Sequence, residues 1–213
     1  MADYLWYAAF GSNLSYDRFE KYLVGGSAAL ASDAPERGAR DASPPIDEDV
    51  LEVEHEVYFA LEAAKWGGGG VAFLSAEKSE TTTICRLHKI TVEQFEDVHM
   101  QESRGDHPTV LNLNALSAEG SLMQYHGSLY ALALLLGTHD DGCPIVTLTT
   151  DRSDLGPNCP SVGYAATIAS VLVEFTDMTP ASATDYVRGK RGVDDRLNRV
   201  ELERVVNEQG PPA

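Results

Sequence analysis

Residues 4 to 10, YLWYAAF, are apolar or aromatic at every position and stop at Gly11, the pattern of a short strand buried on both faces. The period then changes. In GSNLSYDRFEKYL, Ser15 is placed to cap a helix, Asp17 falls in its first turn, and Leu14 and Phe19 stand at the two positions of a hydrophobic staple. Strand, glycine turn and helix start thus follow within about a dozen residues, a junction that presents backbone N–H groups and a helix dipole to an anion.

Residues 25 to 50 hold small residues, proline and acid with no sustained apolar period, and are expected to form a long loop. VEHEVYFALE (53 to 62) alternates as a half-buried strand does, and the glycines at 67 to 70 separate it from a second strand, VAFL (71 to 74). TTTICRLHKI (81 to 90) predicts a third strand, followed by a short helix ending near Glu102 with Val92, Phe95, Val98 and Met100 as its apolar positions. Thr91 and Gln94 have capping-box spacing. A polar, irregular stretch follows Arg104 to about residue 124, where the strand-like QYHGSLYALALLLG begins. Asp141-Gly142 signals a hairpin into PIVTLTT.

The last third is helical in period. Tyr164, Ile168, Leu172 and Phe175 share one face, Thr179 and Pro180 read as cap and first helical residue, and Val193, Leu197, Val200 and Val205 suggest a final helix before a frayed GPPA tail. Strands early and helices late predict an α+β fold whose sheet is small, mixed, mainly antiparallel and barrel-like, with flanking helices. At 213 residues and 43% hydrophobic content one domain, 1–213, is expected, with an insertion at about 105–127 and a helical extension at about 180–209.

Charge narrows the partners. Asp and Glu total 33 against 16 Lys and Arg, a formal charge of -17 that argues against nucleic acid and anionic membrane surfaces, both of which select for surplus cations. The odd cysteine count (85, 143, 159) builds no disulfide framework, and Asp3 stands where a secretory leader would carry positive charge; a cytoplasmic protein is expected. Serine-hydrolase, P-loop, zincin and dinucleotide motifs are missing. Cys85 and His88, three apart on a strand, face opposite sides and cannot share a metal, so no metal site and no cofactor is assigned. The 67 to 70 glycines read as a turn more readily than as a phosphate cradle, since no Lys follows, and Arg104-Gly105-Asp106 carries no meaning inside a cell.

Two features retain chemistry. The amides of YAAFGSNLS suit the α-carboxylate of an amino acid, and Glu102, ending a short apolar-faced helix beside an irregular loop, is placed for partial desolvation. Tyr7-Ala8-Ala9-Phe10-Gly11-Ser12-Asn13-Leu14 resembles the Y-G-S-N-L signature that opens the γ-glutamylcyclotransferase (AIG2-like) family. Trp66 to Ala72 is similar to the family's Trp and glycine segment, Ile90 to Glu102 to the helix ending in its catalytic glutamate, Leu129 to Thr150 to its next hairpin, and Pro160-Ser161 with Tyr164 to the start of its C-terminal helix. Phe10 departs from the family's usual Tyr, and the 25–50 and 105–127 stretches exceed compact members.

The resemblance implies cyclisation of a γ-glutamyl amine, amino acid or peptide to 5-oxoproline, with Glu102 as general acid and base. Phe10, Gly11, Ser12, Asn13, Leu14 and Tyr164 would then bind substrate. The implied partner is a small γ-glutamyl molecule, with the chain a monomer or homodimer. A binding module without turnover, or an amide hydrolase or acyltransferase in the same pocket, stays open as an alternative.

Overall fold

The computed structural model describes residues 3–27, 35–64 and 67–209. Part of the expected 25–50 loop, Trp66 of the glycine segment and the 210–213 tail lie outside them. Six strands, β1 (Tyr4–Ala9), β2 (Asp47–Ala60), β3 (Val71–Thr91), β4 (Ser121–Met123), β5 (Leu132–Thr138) and β6 (Pro144–Thr149), form one sheet in the order β2-β3-β1-β6-β5-β4. All neighbours are antiparallel except β1 and β6, so the sheet is mixed and mainly antiparallel.

Alternation along β1 divides the core. Leu5, Tyr7 and Ala9 face a layer containing Phe19 and Tyr22 of α1 (Tyr16–Val24), Phe95 and Val98 of α2 (Val92–Glu102) and Leu116 of α3 (Leu113–Glu119). Trp6, Ala8 and Phe10 face α4 (Val162–Phe175), α5 (Pro180–Arg188) and α6 (Arg199–Glu208). β1 is thus covered on both sides, as its unbroken apolar run predicts. Cys85 and His88 do fall on opposite faces, Cys85 among the α4–α6 contacts and His88 stacked 4.1 Å from the Phe19 ring.

Several expectations are corrected. β2 starts at Asp47, not 53, because its first half is an acidic, exposed edge whose polarity hides the strand: Glu48 reaches Arg86 and His88, and Asp49 reaches His139. The segments 71–74 and 81–90 belong to one 21-residue strand; they pair with the two ends of β2, and the polar residues between them are absorbed by bulges around His55. The 105–124 stretch is not irregular throughout. Asn112 caps α3 through a bond from the Ala115 N–H, and three residues of β4 pair with β5, a strand too short to leave a period in sequence. Residues 124–131 therefore connect β4 to β5, which begins at Leu132 instead of 124.

Capping readings divide similarly. Thr91 with Gln94 forms the reciprocal capping box, and Thr179 with Ser182 forms another with Pro180 at the first helical position. Ser15 stands at the start of α1 but makes no side-chain cap bond, and Leu14 and Phe19 pack on opposite faces of the sheet, so the staple is not made. α6 begins at Arg199 with Asn198 as its cap; Leu202 and Val206 are its buried residues while Val200 is 74% exposed. Of the expected face, Leu197 is buried and Val193 and Val205 pack partly buried against the core, while Val200 points outward, because 193–198 is a turn and the helix begins only at Arg199.

Candidate active site

β1 ends at Ala9, and the chain turns through Gly11 into a single 3-10 turn, Ser12–Leu14, before α1. Gly11 fits a close approach: a Cβ there would lie a tight 3.2 Å from the Tyr164 hydroxyl and 3.3 Å from the Ala72 Cβ. That hydroxyl accepts the Ala72 N–H at 3.3 Å and also a bond from the Ser12 backbone, tying the turn to α4 and to the start of β3. Ser161 caps α4 by accepting from the Tyr164 N–H, which fixes the tyrosine in the helix's first turn.

The turn forms one wall of a cleft of about 570 Å³ at the end of β1. α2 supplies the facing wall. Its last residue, Glu102, half-buried, receives the Asn13 Nδ2 on Oε1 at 2.6 Å, and the same nitrogen donates to the Tyr7 hydroxyl at 3.1 Å. Asn13 is buried, and its Oδ1 has no hydrogen-bond partner among the described residues. The predicted residues Phe10, Gly11, Ser12, Asn13, Glu102 and Tyr164 all line this one cleft. Leu14 does not: its side chain is in the core, and its N–H is used by the Gly11 carbonyl at 3.1 Å, because the 3-10 turn closes on itself there. Phe10 leaves a hydroxyl-free wall beside Val71 and Ala72.

Asn13 apart, the side chains around Glu102 are not among the predicted site residues. Arg18, 5% exposed, lies one turn into α1, donates through Nε to Ser12 Oγ and through Nη2 to the Tyr22 hydroxyl, both at 3.0 Å, and borders the cleft. Its signal was available: a side chain in the first helical turn points back over the preceding loop. Burial, then the Glu102 charge, raises the hydroxyl pKa of Tyr7 and Tyr22; burial followed by the neighbouring Tyr164 does so for Tyr130. His99, one turn before Glu102, is held down to about 4 by burial, which outweighs its bonds to the Tyr130 carbonyl and the Gln124 amide. The surroundings of Glu102 are therefore neutral phenols, one amide and one buried guanidinium.

Tyr130 is held in the wall by its own carbonyl, which takes the Ser103 hydroxyl at 2.7 Å and His99 Nε2 at 2.8 Å, and by its hydroxyl, which donates to the Ala72 carbonyl at 3.0 Å. Beyond Glu102, α2 stops in a Schellman motif: Gly105 N–H bonds to the Met100 carbonyl and Arg104 N–H to that of Gln101. The left-handed residue is Arg104 (φ 54), which lines the cleft. A side chain there costs about 1 kcal/mol or more relative to glycine. The 67–70 glycines form a tight turn and no phosphate cradle: a Cβ on Gly70 would sit 2.1 Å from the Asn158 carbonyl oxygen, and the Gly70 N–H bonds to Cys159.

No protein-family model matches the chain. The solved structure of a γ-glutamyl cyclotransferase superposes with a TM-score of 0.51 at 12% identity, covering 97% of this chain and 99% of that one. An uncharacterized human protein gives 0.51 at 13% identity over 93% and 98%. Among curated proteins, Arabidopsis thaliana histone deacetylase 5 is 33% identical over 205 residues, 86% of this chain; the chain spans about 30% of that protein's length. The superposition takes in nearly the whole of both chains in each case: this chain has the γ-glutamylcyclotransferase-like fold.

Proposed function

We propose that the protein is a γ-glutamylcyclotransferase-like enzyme that closes the γ-glutamyl part of an amide to 5-oxoproline and releases the attached amine, amino acid or peptide. The observation that carries this reading is the meeting of the Glu102 carboxylate with Asn13, across a cleft whose other wall is the Gly11–Asn13 turn.

The reaction needs no protein nucleophile. The substrate's α-nitrogen, once deprotonated, attacks its own γ-carbonyl carbon; a C–N bond forms in the ring, and the bond to the leaving nitrogen breaks. Glu102 takes a proton from the ammonium, the nitrogen sheds a second as the ring closes, and the leaving nitrogen gains both to depart as an ammonium, so the carboxylate ends as it began. Asn13 orients that carboxylate from one side. The buried Arg18 supplies positive potential under the Ser12 turn for the substrate's α-carboxylate, and the turn amides other than those of Ser12 and Leu14 face the oxyanion that develops on the γ-carbonyl. Phe10, Val71 and Ala72 give an apolar wall that folds the glutamyl chain back on itself. Tyr164 acts through the turn it holds.

A panel of γ-glutamyl amino acids and amines, with products separated by chromatography, tests the reaction. The reading expects 5-oxoproline and free leaving group in equal amounts. Free glutamate in its place would indicate hydrolysis by the same pocket, and binding without any product would indicate a module that has lost turnover.

A further inference from the structure

The 3-10 turn that carries Asn13 leaves its last carbonyls unused. The Leu14 N–H bonds to Gly11, the Ser15 N–H to Ser12, and α1 starts its own ladder with the Phe19 N–H on Ser15. No backbone N–H among the described residues takes the carbonyl of Asn13 or of Leu14, and carbonyls of buried residues call for a partner. β3 supplies both. Arg86 Nη1 donates to the Leu14 carbonyl at 3.2 Å, and the His88 imidazole faces the Asn13 carbonyl. Two residues apart on a strand, Arg86 and His88 share one face, opposite Ala9 and Tyr7 of β1.

Both side chains lead to one carboxylate. Glu48, paired with His88 across the β2–β3 ladder, sets Oε1 2.9 Å from His88 Nδ1 and Oε2 3.0 Å from Arg86 Nη2. The His88 contact, working against burial and reinforced by Arg86, holds the Glu48 carboxyl down to about 2, so it is ionised at neutral pH. His88 is fully buried and stacked 4.1 Å from Phe19; neither ring nitrogen is in line for a full hydrogen bond, so stacking and Glu48 together fix the ring. Arg86 is flanked by the Tyr16 and Phe175 rings, with Glu174 as a second, looser carboxylate at 3.8 Å. None of Glu48, Arg86 and His88 lines the cleft. They reach it through backbone alone, at the two carbonyls that set the direction in which Asn13 extends to Glu102.

We infer that Glu48, Arg86 and His88 are positioning residues: from behind the Gly11–Asn13 turn they hold the backbone so that Asn13 Nδ2 meets the Glu102 carboxylate. This rests on the cyclotransferase reading given above. Glu48 is the member best suited to a test, because it lies on the edge strand with its side chain 39% exposed and can be replaced without opening the core. Its neighbour Asp49 is the matched control: it also pairs with a histidine, His139 at 3.0 Å, but on the opposite face of the sheet.

The test measures 5-oxoproline release from γ-glutamyl-alanine by the intact chain, by Glu48→Gln, Arg86→Lys and Asp49→Asn, and by Glu48→Gln combined with Asn13→Ala, with Tm for each. Glu48→Gln is expected to lower kcat by about three- to tenfold, bounded by the loss of Asn13 itself, with a smaller change in KM. Arg86→Lys, which keeps one donor for the Leu14 carbonyl, falls between Glu48→Gln and wild type, and Asp49→Asn leaves kcat unchanged. In the Asn13→Ala background Glu48→Gln costs nothing further, the mark of a residue that acts through Asn13. Wild-type kcat in Glu48→Gln, or an equal loss in both backgrounds, overturns the inference and leaves the reaction standing. Should no 5-oxoproline form at all, the reaction reading falls by itself. Nuclear magnetic resonance of the 15N-labelled chain then decides on Glu48: the Asn13 side-chain amide signal, identified by its loss in Asn13→Ala, is expected to shift in Glu48→Gln and to stay in place in Asp49→Asn. A signal that Glu48→Gln does not move, or that both variants move equally, refutes the positioning role.

Discussion

Asn13→Ala separates what Asn13 contributes to stability from what it does for Glu102. The substitution removes a 2.6 Å bond to a carboxylate, worth about 1.5–3 kcal/mol, and a 3.1 Å bond to the Tyr7 hydroxyl, worth about 1 kcal/mol. It also removes Oδ1, a buried acceptor without a partner whose burial costs about 1–3 kcal/mol. The second offsets part of the first. The expected net loss is about 1–2 kcal/mol, or roughly 3–6 °C in Tm for a chain of this size. Urea denaturation at neutral pH measures it. 5-Oxoproline release is expected to fall much further than stability, by tenfold or more, because Glu102 loses the donor that orients it. A stability loss above about 4 kcal/mol would mean that Oδ1 has a partner and is not a standing cost. Activity equal to wild type would refute the orienting role.

Other outcomes follow from the same structure. Gly70→Ala drives a methyl to within 2.1 Å of the Asn158 carbonyl, so backbone must move; a loss of at least about 2 kcal/mol is expected by thermal or chemical denaturation, against almost none for Gly163→Ala, where nothing lies within 4 Å of the Cβ and the backbone is not left-handed. His99 has its pKa lowered from 6.5 to about 4, so the folded state binds fewer protons than the unfolded one between those values, and its contribution is present above pH 6.5 and lost as pH falls toward 4. That contribution amounts to about 3 kcal/mol, and His99→Gln should flatten the acid limb of the stability curve over this window. An unchanged acid limb would show that other groups drive the loss.

The sequence was most informative where one residue type has one physical job. The doubly buried β1, the Thr91 capping box, the Thr179 cap with Pro180 after it and the Asp141-Gly142 turn (Gly142 φ 84) could all be read from residue chemistry alone. It was least informative where pairing, and not pattern, makes the element. The acidic start of β2 and the polar middle of β3 are strands because they pair with each other, and β4 is too short to carry any period. The site divides along the same line. Gly11 to Asn13 and Glu102 were visible as a turn and a helix end, 89 residues apart for the Asn13–Glu102 pair. Arg18, Tyr22 and Tyr130 were not: the first-turn position gives the direction of Arg18, but its burial is recognisable only from what encloses it. Leu14 belongs to the motif but not to the cleft, since the 3-10 bond consumes its amide.

Whether one carboxylate carries the proton transfers is tested most directly by Glu102→Gln, which keeps the size of the side chain and an oxygen able to accept from Asn13. With γ-glutamyl-alanine at saturation, and with far-UV circular dichroism and Tm confirming the fold, the variant is expected to release 5-oxoproline at least a hundredfold more slowly than wild type, within the roughly 10²–10⁴ range of general acid and base catalysis. Turnover at the wild-type rate would contradict the account and remove Glu102 from the mechanism.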